Sequence, residues 1–302
     1  MSLSKLVLFA SFCLFACLHA SENIKPLDRT IFPIELQSEK SYPVEDRTYT
    51  DIVLQTSDAG EIRFTVSLPK DVQGPLPCII ILAGVGTGRE SLQYIPDHGP
   101  FALIAYEYPP NLKELKGLKG LFHISSIRRS ALNIPSQILA ISYWLKQAPF
   151  SDHLPPAIMG FSFGAIFIPA IYHLAEVRHM QLGPGVVGYG GAGLYYMFYA
   201  NFKGSHAMKI ARAAFATMIF RPLEPTKHIP YMRGNFLIIN GKQDRQIPFH
   251  AAKKLQEMVP EPKTIINLDT EHMQPGNQPL LNRLIKISKK WLGETNPRFK
   301  SK

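Results

Sequence analysis

Residues 156–168 read Pro156-Ala157-Ile158-Met159-Gly160-Phe161-Ser162-Phe163-Gly164-Ala165-Ile166-Phe167-Ile168. The residues before Gly160 form a short apolar run of the kind that fills a buried strand, and those from Ala165 onward open a helix-like stretch. A strand, a tight turn with Ser at its apex and glycines two residues to either side, then a helix is the pattern of a nucleophile elbow. The glycines have a mechanical job. So sharp a turn forces Ser162 into a strained backbone conformation, and a Cβ at either flank would collide with the neighbouring strand or helix. The strain leaves the Ser162 hydroxyl exposed to an incoming group.

Taken alone this pentapeptide is a weak signal, because a plain turn can carry the same residues. Two downstream segments add to it. Phe236-Leu237-Ile238-Ile239-Asn240-Gly241-Lys242-Gln243-Asp244-Arg245-Gln246-Ile247-Pro248 is an apolar strand, a Gly turn and an acid. Thr264-Ile265-Ile266-Asn267-Leu268-Asp269-Thr270-Glu271-His272 is a second strand and a loop ending in His. The spacing leaves room for two strands and an insertion between Ser162 and Asp244, and for one helix and one strand between Asp244 and His272. Nucleophile, acid and His in this order resemble the α/β-hydrolase superfamily. The resemblance runs from about Ile62 to Leu292, and Gly241-Lys242-Gln243-Asp244-Arg245-Gln246-Ile247-Pro248 is similar to the acid loop of its esterases and peptidases.

The remaining pattern suits that fold. Residues 49–55 and 61–68 alternate apolar and polar around Ser57-Asp58-Ala59-Gly60, which predicts an antiparallel hairpin. Residues 77–82 and 101–106 are nearly unbroken apolar runs, as strands covered on both faces should be. Residues 125–146 carry helical periodicity interrupted by Pro135, which should kink the helix. Alternating strands and helices predict an α/β class with a mostly parallel central sheet flanked by helices. Residues 194–232 break the rhythm with Tyr195-Tyr196-Met197-Phe198-Tyr199 and a helix over 206–219. This is where α/β-hydrolases carry a cap. Its aromatics either line an acyl pocket or form the cap's own core.

The expected organisation is a signal peptide over 1–20, an extended N-terminal arm over 21–48, a hydrolase domain over 49–296 and a basic tail over 297–302. The signal peptide rests on Lys5, the apolar run 6–18 and Leu18-His19-Ala20 before Ser21. A rival reading takes Leu14-Phe15-Ala16-Cys17 as a lipobox, which would anchor the chain by lipid at Cys17. Either route exports the protein, to the periplasm or beyond. Cys78 lies inside an apolar run and reads as a small hydrophobe. Neither a metal site nor a cofactor is suggested. The glycines of Ala83-Gly84-Val85-Gly86-Thr87-Gly88 lack the Gly-Lys-Ser/Thr ending of a phosphate loop and the dinucleotide fingerprint. A formal net charge of +10 allows peripheral contact with an anionic membrane surface, while no nucleic-acid-binding signature accompanies it.

In chemical terms Ser162 is the candidate nucleophile and His272 the base that would take its proton. Asp244 would orient His272. Glu271 is adjacent to it in sequence and faces elsewhere, and Asp269 ends the same strand. Backbone N–H donors for a developing oxyanion are expected at Phe163 and, by the resemblance, at Val85. Ala83 stands where the family usually carries His, and a His-Gly-Gly-Gly segment is absent. The resemblance implies a serine hydrolase acting on an ester or thioester of a small or lipid-like acyl group, which the N-terminal pattern would export. Acyl transfer, peptidase activity, or a non-catalytic binding role on the same scaffold are the alternatives.

Overall fold

The computed structural model describes residues 24–71, 74–115 and 123–300. The expected signal peptide, with Cys17 and Ser21, lies outside them, as do the last two residues of the expected tail.

Nine strands form one sheet in the order β1-β2-β3-β5-β4-β6-β7-β8-β9. They are β1 (Ile34–Val44), β2 (Arg47–Thr56), β3 (Glu61–Pro69), β4 (Cys78–Leu82), β5 (Ala102–Glu107), β6 (Ala157–Phe161), β7 (Gly185–Gly188), β8 (Phe236–Gly241) and β9 (Lys263–Leu268). The first three strands pair antiparallel and β3 joins β5 antiparallel. Every pairing from β5 to β9 is parallel. Seven helices flank the sheet among the described residues: α1 (Ile124–Leu145), α2 (Ile168–Val177), α3 (Leu194–Asn201), α4 (His206–Phe220), α5 (Pro225–His228), α6 (Phe249–Met258) and α7 (Gln278–Thr295). This is the α/β-hydrolase fold.

Alternate residues of each parallel strand feed opposite cores, as the two-residue period of a strand demands. Ile80, Leu82, Ile104, Ile158 and Ile238 face α1 and α2. Ile79, Ile81, Leu103, Met159 and Ile239 face α7 through Leu284 and Trp291. Both faces being covered explains the unbroken apolar runs in the sequence. Pro135 sits within α1 and is itself buried.

Two boundaries differ from the sequence reading. The expected arm over 21–48 supplies β1, the edge strand, and the start of β2. Almost every residue of β1 is exposed, so it has no buried face to impose an apolar alternation. Pairing with β2 through a turn at Glu45, whose φ is +50°, holds it to the sheet. Arg47, also in the expected arm, is buried and donates to the Ser67 hydroxyl and to the carbonyls of Ser67, Gly99 and Phe101. At the other end, Pro297–Phe299 forms a 3-10 turn rather than a free tail. Phe299 is buried against Phe101, and Arg298 faces Asp152 at 3.6 Å.

The chain order of the strands fixes where a site can form. From β4 it moves outward to β5, then returns to place β6 on the other side of β4. Loops leaving the carboxyl ends of β4 and β6 therefore diverge and leave a crevice between them. The segment 194–231, built of α3, α4, α5 and short 3-10 turns, follows β7 and stands over the same end of the sheet. Its base is closed by Glu224, whose carboxylate accepts from the N–H groups of Gly193 and Leu194 at 2.9 and 2.8 Å. That places an anion at the N-terminus of α3, where the helix dipole favours it.

Candidate active site

Ser162 sits immediately after β6 with φ of +54°, a left-handed conformation that a side chain other than glycine rarely adopts. The two flanking glycines show why the turn has no alternative residues. A Cβ on Gly160 would lie 2.5 Å from Cγ1 of Ile168, and one on Gly164 would overlap the Leu82 carbonyl. The second clash shows how tightly the Ser162 turn packs on the end of β4.

His272 and Asp244 come to this turn from the ends of β9 and β8. The Nε2 atom of His272 lies 2.7 Å from Oγ of Ser162, and its Nδ1 lies 2.6 Å from Oδ2 of Asp244. Asp244 is acceptor-only as a carboxylate, so Nδ1 carries the proton and Nε2 offers its lone pair to the Ser162 hydroxyl. The other Asp244 oxygen accepts from the N–H groups of Gln246 and Ile247 at 2.7 and 2.9 Å. Asp244 and His272 are both buried, while Ser162 is half-exposed. The structure thus brings together the three residues singled out in the sequence. Of the two rival acids, Asp269 accepts from Gln243 at 3.0 Å and Glu271 is exposed.

The other two predicted positions line the crevice. Phe163 follows Ser162, its ring held edge-on by Tyr108 and Phe167 at 5.2 Å each. Val85 lies in the loop after β4. That loop is closed on the Gly84 carbonyl by the N–H groups of Thr87 and Gly88, which leaves the Val85 N–H outside the closing set. Tyr108 donates to the Ala83 carbonyl at 2.8 Å and fixes the start of the loop. Gly88, at φ +46°, packs on the Glu107 carboxylate, which also accepts from the Arg89 N–H at 3.0 Å.

Sequence reasoning missed the groups that support this arrangement. Tyr189, just past β7, has φ of +54° and lays its ring edge-on to His272 at 5.5 Å. Its hydroxyl pairs with Thr270 at 2.7 Å, which steadies the loop that delivers His272. Gln256 reaches from α6 to the amide oxygens of Asn240 and Asn267 at 3.0 and 2.8 Å, and Asn240 donates to the Gly190 carbonyl. This set, buried at Asn240 and Gln256, ties β8 and β9 to the loop after β7. The run Gly188-Tyr189-Gly190-Gly191 was the only available signal, since the rest depends on contacts far apart in sequence.

Cys78 competes poorly as a nucleophile. It is buried, donates toward Ser151 and Leu76, and burial pushes its thiol up to about 11. Among the described residues no cluster of three or more His, Cys, Asp or Glu could hold a metal ion.

No family model matches the sequence, and no curated protein matches it. Solved structures match the fold. Acetyl xylan esterase 1 from Thermoanaerobacterium sp. JW/SL YS485 is 16% identical, with 92% of this chain and 93% of that one covered and a TM-score of 0.67. The acetyl xylan esterase from Paenibacillus sp. R4 is 15% identical, covering 89% and 93% at a TM-score of 0.61. The 2,6-dihydroxy-pseudo-oxynicotine hydrolase is 16% identical, covering 88% and 69% at a TM-score of 0.55. All three belong to the α/β-hydrolase superfamily.

Proposed function

We propose that the chain is a serine hydrolase that cleaves a carboxylic ester or thioester through an acyl-enzyme. The observation that carries this reading is the unbroken relay from the Ser162 hydroxyl through His272 to the buried Asp244 carboxylate. Ser162 Oγ attacks the acyl carbon as its proton passes to Nε2 of His272. Asp244 holds the imidazolium in place. The carbonyl oxygen becomes an oxyanion, for which the backbone N–H groups of Phe163 and Val85 are the donors at hand. His272 then gives the proton to the departing alcohol or thiol as the tetrahedral centre collapses to the acyl-serine. A water attacks that ester with His272 again as base, and the acid leaves as Ser162 recovers its proton.

A purely binding role has no use for so complete a relay, whose Ser lies in a strained turn. Acyl transfer uses the same relay with an alcohol in place of water. At these identities the neighbours' substrates do not transfer to this chain, although acetyl esters are a sensible start for a substrate panel. Export through a cleaved leader belongs to the same proposal and rests on residues 5–20. The mass of the mature N-terminus distinguishes release at Ser21 from lipid attachment at Cys17.

The test is labelling by a fluorophosphonate together with turnover of p-nitrophenyl esters from acetate to palmitate, run beside Ser162→Ala. Labelling should vanish in the variant and kcat/KM should fall about a million-fold. A well-folded wild-type protein that neither labels nor turns over any ester would overturn the proposal.

A further inference from the structure

α4 is apolar on the side that faces away from the protein. At 100° per residue, Met208, Ala211, Phe215 and Met218 fall on one stripe, opposite Ala213. Ala213 is the helix's one buried residue. The stripe is open to solvent: Met208 is 45%, Phe215 46% and Met218 66% exposed. A surface helix normally turns its polar side outward. The side toward the protein carries Ala213 and Phe220, which packs against Phe198 at 6.0 Å, with Lys209 over the Tyr199 ring at 4.3 Å beside them.

The charge around the stripe has one sign. Residues 177–223 contain no Asp or Glu. Lys203 and Arg212 stand at the N-terminal end of α4, the Arg212 guanidinium donating to the Lys203 carbonyl at 3.0 Å. Arg221 and Arg128 stand at the other end, where Arg128 donates to the Ile219 carbonyl at 3.0 Å. All four are exposed.

We propose that this face of the cap docks on an anionic lipid surface, with Met208, Phe215 and Met218 entering the headgroup boundary and the flanking cations meeting lipid phosphates. Charge selects this occupant over a second copy of the chain. A two-fold pairing through the stripe would set each cationic cluster against a cationic cluster of the other copy, and like charges across an interface oppose association. No helix among the described residues is long and apolar enough to cross a membrane, so the contact would be peripheral. The proposal does not depend on the hydrolase reading.

Flotation with vesicles tests it. Vesicles of roughly three parts phosphatidylcholine to one of phosphatidylglycerol should carry the protein upward. Pure phosphatidylcholine, or raised salt, should weaken binding about tenfold or more. The double variant Phe215→Gln/Met218→Gln keeps the charge and helix propensity while removing the two most exposed large side chains. It should bind about tenfold or more weakly with an unchanged circular dichroism spectrum. No flotation of the wild-type protein, equal flotation with both vesicle types, or undiminished flotation of the double variant would each overturn the proposal. So would a dimer by sedimentation that the double variant loses while vesicles leave both proteins behind.

Discussion

The turn at Ser162 leads into α2, and within twelve residues the chain meets two histidine arrangements of opposite design. In the first, His272 lies between a hydroxyl and a carboxylate. In the second, His173 of α2 and His228 of α5 face each other through their Nδ1 atoms at 2.9 Å, with no acid between them. His228 Nε2 lies 2.6 Å from the Pro222 carbonyl and must donate to it, so its Nδ1 is the acceptor and His173 Nδ1 the donor. His173 Nε2 is then left buried without a partner, its ring stacked on Tyr231 at 4.1 Å. Burial pulls His173 down to about 3, with His228 and Arg233 adding to the effect, and burial pulls His228 down to about 4. One ring has a carboxylate ready to balance a positive charge that comes and goes. The other pair has no carboxylate hydrogen-bonded to it, and burial outweighs the pull of Glu224 on His228, so both rings are held neutral between the segment after β7 and α2.

The largest test of this difference is at the relay. His272→Ala should cost about a million-fold in kcat/KM, the same as expected for Ser162→Ala, because neither residue acts without the other. Asp244→Asn should cost about ten-thousand-fold, since the amide reverses the tautomer that Nδ1 must hold. Single-turnover rates on the best ester read both values. If Asp244→Asn retained nearly full activity, the contrast between the two arrangements would collapse.

A smaller effect is expected at the second pair, and on stability rather than on rate. Both folded values lie below the ordinary value of about 6.5, so below that pH the unfolded chain takes up protons that the folded chain refuses. Stability should therefore be complete above about pH 6.5 and decline as pH falls toward 4. His173→Phe preserves the stacking on Tyr231 and removes one of the two protons. The slope of unfolding free energy against pH, from urea melts between roughly pH 6 and 4.5, should become shallower by about 1.4 kcal/mol per pH unit. An unchanged slope would mean that the pair is already charged in the folded protein. Ester turnover at neutral pH should move little, since His173 touches no reacting group.

What could be read in the sequence, and what could not, follows the same line. Ser162, Asp244 and His272 each end an apolar strand with a distinctive turn, so their signals are local and their order in the chain is informative. The His173–His228 pair joins α2 to the cap return and has no local signature. Strand β1 was invisible for another reason: with both faces in water it carries no alternation, and only its hydrogen bonds to β2 define it. Arg47 looked like part of a solvated arm because a buried guanidinium satisfied by carbonyls is unlike the usual fate of that side chain. The helix expected over 206–219 forms as α4 (His206–Phe220), yet which side of it meets water is decided by where the segment lands on the domain.

The strand order that opens the crevice also sets a timetable. Ser162 is complete once β6 lies beside β4, but its base and acid arrive only after β8 and β9 have added to the far side of β7. A chain that stops before β9 lacks His272 and leaves Ser162 without the ring nitrogen that otherwise lies 2.7 Å from its hydroxyl. On the proposed mechanism, ester cleavage would therefore report that the last strands to be made have taken their places, and a half-finished molecule would stay chemically silent.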